Sequence, residues 1–146
     1  MTPKINDITP AEWDLMRIVW TKGDVHSRDL ITLLQQKRDW SESTIKTLLG
    51  RLVKKGLLQV AKSGHRFTYS ATVDERVAMD ETVQELFAHL CAMKKGQTLV
   101  NLVQTTTMTQ ADLQALQQVV QQKLVDAPNM VTCDCLPAGN GDGCAN

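Results

Sequence analysis

The chain has 146 residues, 42% of them hydrophobic, with 16 Lys/Arg balanced by 16 Asp/Glu and only four cysteines. That length builds one ordinary domain or two small ones, no apolar run is long enough to span a bilayer, and the cysteines are too few for a disulfide scaffold. A net charge of zero argues against a nucleic-acid partner, yet it averages two unlike halves: residues 1–74 carry 12 basic against 8 acidic side chains, and residues 75–146 carry 4 against 8.

Thr9 reads as the N-cap of a first helix, with Pro10 at its first position and Glu12 three residues after the cap, the arrangement of a capping box. Trp13, Met16 and Trp20 would line its inner face, and Lys22-Gly23-Asp24 would end it. Ser27 is the N-cap candidate for a short second helix with Leu30, Leu33 and Leu34 at helical spacing. After a turn around Arg38-Asp39-Trp40, a third helix is expected from about Ser41. It places Ile45, Leu48, Leu49, Leu52 and Val53 on one buried stripe and closes at Gly56 as its C′ residue.

The opposite face of that helix carries Ser43, Thr44, Lys46, Thr47, Gly50, Arg51, Lys54 and Lys55. Two extended runs follow, Leu57 to Ala61 and Arg66 to Ala71, joined by Lys62-Ser63-Gly64-His65. Three helices and a hairpin wing describe a winged helix-turn-helix. From Ser43 to Val73 there are six basic residues and no acid, the electrostatic footprint that a polyphosphate surface requires.

Beyond Asp74, a cap candidate, only helices are expected. One long segment to about Lys94 carries Met79, Val83, Leu86, Phe87, Leu90 and Cys91 on one face and stops at Gly96. Leu99, Leu102 and Val103 suggest a short fifth helix. Thr109 opens a sixth, with Asp112 at the capping-box position, a stripe of Leu113, Leu116, Val120 and Leu124, and Pro128 beyond its end. About fifty residues of amphipathic helix bury too little surface to stand alone, so an identical chain is expected as partner. The organisation is thus mainly α with a small β-hairpin wing: residues 1–74 a winged helix-turn-helix domain, 75–128 a helical dimerisation domain, and 129–146 a flexible tail.

Three of the four cysteines fall in that tail, as Cys133-Asp-Cys135, an eight-residue spacer with Gly139, Gly141 and Gly143, and then Cys144. So polar and glycine-rich a segment cannot pack a core, and its sulfurs suit a thiophilic metal. The alternative is an unstructured tail with incidental cysteines. The chain opens Met1-Thr-Pro-Lys4 without an apolar leader, so a reducing cytoplasm is expected and disulfides are not. Tetrahedral zinc needs four donors whereas Cu(I) is satisfied by two or three thiolates, so the tail leaves zinc one donor short. Cys91, on an apolar helix face, is expected to pack. His26 and His89 read as surface or boundary residues.

In the first half, hydroxyls and forked donors on a helix face match base edges and phosphates in the major groove. Ser43, Thr44, Lys46 and Thr47 occupy the early turns where base contacts are made, Arg51, Lys54 and Lys55 follow at phosphate positions, and Lys62, His65 and Arg66 stand at the wing tip. The alternative is a solvated polar face.

At these residues the sequence resembles a known family. Ile8-Thr-Pro-Ala-Glu-Trp13-Asp-Leu-Met16, Ser43-Thr-Ile-Lys-Thr47-Leu-Leu-Gly-Arg51-Leu-Val-Lys-Lys-Gly56 and Arg66-Phe-Thr-Tyr69 resemble the blocks of the penicillinase-repressor (BlaI/MecI) family. The cysteine tail is similar to that of its copper-responsive branch, the CopY-type repressors. The resemblance implies a homodimeric winged-helix repressor on a palindromic operator of double-stranded DNA ahead of copper-export genes. It further implies Zn(II) on the tail supporting DNA binding, and Cu(I) from a copper chaperone replacing it and releasing the DNA. The branch's tail ends in a second Cys-x-Cys; here Cys133, Cys135 and Cys144 match, and Asn146 stands where the last cysteine would be. A fourth zinc donor is then sought in the Asn146 carboxylate, Asp134, Asp142, water or the partner chain.

Two other functions compete. In the antibiotic-responsive branch, cleavage in the dimerisation region relieves repression, and Asn101-Leu102 is the corresponding segment. A metal buffer with an incidental N-terminal domain is the other. An enzyme is not expected, for there is no Gly-rich phosphate loop, no paired carboxylates in an apolar setting and no nucleophile with an evident base.

Overall fold

Helix α1 (Pro10–Lys22) starts where the capping box places it: Thr9 Oγ1 accepts from the Glu12 N–H at 3.2 Å, and Glu12 Oε1 accepts from the Thr9 N–H at 3.4 Å. In the computed structural model, which describes residues 2–145, two units form, residues 1–85 and 86–146. The first holds strand β1 (Val25–His26), helix α2 (Ser27–Lys37), helix α3 (Glu42–Lys54), strands β2 (Leu58–Ser63) and β3 (Arg66–Ala71), and the start of helix α4 (Glu75–Ala88). The sheet is antiparallel in the order β1-β3-β2. The fold is therefore mainly helical with a small sheet, a winged helix.

Ser41 caps α3 by accepting from the Thr44 N–H at 3.1 Å. The helix closes in a Schellman motif: Gly56 takes φ 78°, its N–H donates to Val53 O, and the Leu57 N–H donates to Leu52 O. That turn feeds Leu57 and Leu58 inward and starts β2. At the far end of the hairpin only Gly64-His65 is turn, with Gly64 at φ 63°, the position at which a two-residue turn reserves a place for glycine. The wing is thus longer than its sequence suggests, with Lys62 and Ser63 paired to Phe67 and Arg66.

The core of this unit gathers Leu15, Met16 and Val19 of α1, Leu30, Ile31 and Leu34 of α2, and Ile45, Leu48, Leu49 and Leu52 of α3. Each such side chain contributes about 1.5–3 kcal/mol by leaving water. The α3 stripe is the expected one. On α1 the centre of the buried face is Leu15, Met16 and Val19, and Trp13 and Trp20 are only partly buried at its edge, their rings 5.6 Å apart. Trp20 Nε1 donates to Val73 O at 2.8 Å and so ties down the exit from the sheet. Ser27 is the first helical residue rather than the cap; His26 occupies the cap position without a side-chain bond, because it is held in β1, where its Nδ1 lies 3.0 Å from the Thr68 hydroxyl.

Asp74 caps α4, accepting from the Arg76 and Val77 N–H groups. That helix ends at Ala88, not near Lys94. Turns at His89 and Leu90 lead through a 3-10 turn (Ala92–Lys94) into helix α5 (Lys95–Thr105), so that Gly96 lies inside a helix instead of stopping one. Helix α6 (Gln110–Leu124) begins at its expected cap, Thr109 Oγ1 accepting from the Asp112 N–H at 3.0 Å. Among the described residues beyond 85 no side chain is buried: Leu99, Leu102, Leu113, Val120 and Leu124 of α5 and α6 all remain exposed. No helix among the described residues is long and apolar enough to cross a membrane.

Candidate nucleic-acid interface and metal centre

With Ile45, Leu48, Leu49 and Leu52 turned into the core, α3 exposes Ser43, Thr44, Lys46, Thr47, Gly50, Arg51 and Lys54. Several of these groups are already engaged locally. The Thr44 hydroxyl lies 3.0 Å from Ser41 Oγ, Thr47 Oγ1 donates back to Ser43 O at 3.0 Å, and Lys46 Nζ is 3.1 Å from Glu42 Oε1. Arg51 and Lys54 have no ion pair among the described residues. A built Cβ on Gly50 meets nothing within 4 Å, so the middle of this face is a shallow trough.

Lys62, His65 and Arg66 are exposed on the wing, and Lys62 Nζ stands 5.6 Å above the Phe67 ring. A cleft of about 450 Å³ between α2, α3 and the wing is lined by Arg28, Lys46, His65, Phe67 and Tyr69 among others. Arg28, at the start of α2, was not foreseen from the sequence. It flanks an acid as well as the basic run: Glu42 Oε2 is 3.8 Å from Arg28 Nη1. The hydrogen bond from Lys46, then the charges of Lys46 and Arg28, hold the Glu42 carboxyl below its usual range. Glu42 therefore stays ionised and organises two cations on a face otherwise free of acids.

Lys55 belongs elsewhere. Expected at a phosphate position, its Nζ instead lies 2.6 Å from Glu12 Oε1 and donates to Asp7 O at 2.6 Å. Glu12 is fully buried, so the ammonium neutralises a carboxylate inside the fold and is not free to reach DNA. Helical periodicity cannot reveal this, because the partner lies 43 positions away in sequence.

In the second unit the tail folds back on the α4–α5 turn. Cys91 Sγ is 3.8 Å from Cys133 Sγ and 3.9 Å from Cys144 Sγ, and Cys135 Sγ is 3.6 Å from Cys144 Sγ. All four sulfurs lie within 4.8 Å of one another. A tetrahedron with ~2.3 Å metal–sulfur bonds has sulfur–sulfur edges of about 3.8 Å. The donor set therefore fits a four-thiolate ion. Cys91, expected to pack an apolar face, supplies the sulfur that the tail lacks. Asp134, one of the alternative fourth donors, is committed differently, accepting from the Ala92 N–H at 2.9 Å. The Asn146 carboxylate lies outside the described residues. The signal for Cys91 was present in the arithmetic: three thiols left zinc one short, and the chain holds one more cysteine.

The chain's path around the sulfurs is specific. Gly143, at φ 74°, passes so close to Cys133 that a Cβ there would fall 3.0 Å from its Sγ. Hydrogen bonds from the backbone N–H groups of Cys144 and Cys135 draw the Cys133 thiol down to about 6, making it a thiolate at neutral pH. Hydrogen bonding to Cys133 pushes Cys135 and Cys144 up. One sulfur thus carries charge and its neighbours hold their protons against it, protons that an incoming ion must displace. Asn101-Leu102, the segment considered for cleavage, is inside α5, where Asn101 Oδ1 accepts from Gln97 Nε2 at 3.1 Å.

The family model described as penicillinase repressor matches residues 8–122. An uncharacterized 16.5 kDa protein in the ptsI 3′ region of Latilactobacillus sakei is 58% identical over 137 residues, 94% of each chain. The methicillin resistance regulatory protein MecI of Mammaliicoccus sciuri is 29% identical over 84% of this chain and 100% of its own. Among solved structures, the DNA binding domain of the repressor BlaI is 36% identical, covering 51% of this chain and 90% of its own, with a TM-score of 0.48. Cys91 falls within the family match, while Cys133, Cys135 and Cys144 lie beyond its end.

Proposed function

Because this chain belongs to the penicillinase repressor family, a family of repressors and not of enzymes, we propose that it is a metal-responsive member that grips a palindromic operator as a homodimer. Helix α3 of each protomer enters the major groove, with Ser43, Thr44, Lys46 and Thr47 toward base edges, Arg51 and Lys54 toward phosphate, and the wing's Lys62, His65 and Arg66 on the flanking backbone. Arg28 adds to the cationic rim. The uncovered apolar stripes of α5 and α6 close against the same stripes of the partner. The two recognition helices then read half-sites one turn of DNA apart, roughly 34 Å.

The observation that carries the metal response is the four-sulfur cluster of Cys91, Cys133, Cys135 and Cys144, whose edges match tetrahedral thiolate coordination. Zn(II) in that cluster holds the repressor in its DNA-binding state. Cu(I), delivered by a copper chaperone in the reducing cytoplasm, takes the thiolates and releases the operator of copper-homeostasis genes. The ion acts only by favouring one arrangement of the dimer, and a tenfold change in operator affinity needs about 1.4 kcal/mol of coupling.

Replacing Cys133 and Cys135 with Ser in cells carrying an operator–reporter fusion tests this. Loss of the copper response supports the reading. Unaltered copper derepression refutes it and favours relief by cleavage, in which the tail has no part.

A further inference from the structure

We infer that Cys91 is the sulfur that distinguishes the two ions: it is engaged by Zn(II) and left free by Cu(I), so that the tail is fastened to the α4–α5 turn in one state and released in the other. The inference rests on the metal-responsive reading above and specifies how the site is regulated.

Three donors come from one short segment, Cys133, Cys135 and Cys144, and the fourth from a turn 42 positions before Cys133. The two sources are unequal. Gly139, Gly141 and Gly143 all take positive φ, and Gly143 passes directly over Cys133, so the three tail sulfurs gather through their own loop. Cys91 joins them only if the whole loop docks on the turn. A second tie marks the docking as specific, the Ala92 N–H donating to Asp134 Oδ1 at 2.9 Å. Three thiolates satisfy Cu(I), whereas Zn(II) requires a fourth ligand. The coordination number of the ion therefore decides whether Cys91 is recruited.

The consequence reaches the helices. A bond through the ion from Cys91 to Cys144 closes a ring of chain spanning 53 positions, which contains α5 and α6 entire. Closing that ring removes freedom from the two helices whose apolar stripes await a partner, and opening it restores that freedom. Exchange of Zn(II) for Cu(I) would thus be felt by the pairing surface although neither ion touches α3.

The test uses the full-length protein and its Cys91→Ser variant, with Cys133→Ser for contrast. Zn(II) affinity by chelator competition, Cu(I) affinity by a Cu(I)-specific chelator, and Co(II) charge-transfer absorption as a count of thiolates are measured on each. Cys91→Ser should weaken Zn(II) on the order of 100-fold, reduce the Co(II) thiolate absorption by about a quarter, and leave Cu(I) within about twofold. Cys133→Ser should weaken both ions. Limited proteolysis at the glycine-rich spacer should be slow only in the zinc-loaded parent. Circular dichroism confirms that the variants are folded, and Cys91→Ala replaces Cys91→Ser if the latter is not.

Equal Zn(II) affinity and an unchanged Co(II) spectrum in the variant would overturn the inference, as would parallel losses of Zn(II) and Cu(I). These readouts are independent of DNA. A parent protein whose operator affinity ignores both ions would instead refute the metal-responsive reading itself.

Discussion

Lys55→Met separates a structural lysine from a DNA-binding one. In the parent, Lys55 Nζ is 2.6 Å from Glu12 Oε1, and Glu12 is fully buried. The substitution keeps the aliphatic stem and removes the charge, leaving a buried carboxylate with only the 3.4 Å bond from the Thr9 N–H. Breaking a buried pair from one side costs about 3–5 kcal/mol, a large share of the roughly 5–15 kcal/mol that holds a domain together. For a unit of this size each kcal/mol is worth about 4–8 °C, so the midpoint should fall on the order of 15–30 °C. Exposed Lys54→Met should move it by no more than about 0.5 kcal/mol equivalent. Adding Glu12→Gln to Lys55→Met removes the stranded charge and should recover most of the loss. The assay is thermal unfolding by circular dichroism, paired with operator binding at several salt concentrations below the midpoint. A variant that melts like the parent but loses about 0.9 from the log–log salt slope would show that Lys55 contacts phosphate and that the buried-pair argument is wrong.

Arg51→Ala should weaken binding to all duplexes and lower the salt slope by about 0.9, whereas Thr47→Ala should alter base preference at one position with the slope intact; fluorescence anisotropy on a panel of duplexes distinguishes them, and parent-like binding by both would remove α3 as the reader. Glu42→Gln removes the one carboxylate beside Lys46 and Arg28 and should tighten binding to random-sequence DNA, with unchanged or weakened affinity as the contrary result. Gly50→Ala places a methyl in open space on a helix interior and should raise stability by roughly 0.5–1 kcal/mol. If α3 presses on DNA there, the same variant should bind the operator less well, and equal operator affinity would show that the trough is not approached.

Where local chemistry decides the structure, the sequence was readable. Thr9, Ser41, Asp74 and Thr109 all cap as their types and spacing predict, and Gly56 ends α3 as only a residue comfortable at positive φ can. What was not readable depends on distant partners. Strand β1 has two residues, too few to show alternation, and exists because β3 pairs with it. The end of α4 at Ala88 has no breaker beside it; the chain turns there and delivers Cys91 and the Ala92 N–H to the tail. Lys55 has the residue type and the helical position of a phosphate contact, and only Glu12, buried on another helix, removes it from that role. Cys91 was misassigned for the opposite reason: periodicity placed it on an apolar face, and periodicity does not count donors.

The central claim is that an ion held by sulfurs far along the chain from α3 changes its grip on duplex DNA. One palindromic operator duplex, titrated at a single salt concentration with apo, zinc-loaded and Cu(I)-loaded protein under reducing conditions, measures it directly. The account predicts that the zinc form binds at least about tenfold tighter than the Cu(I) form, a difference of about 1.4 kcal/mol. Three superimposable binding curves would contradict it.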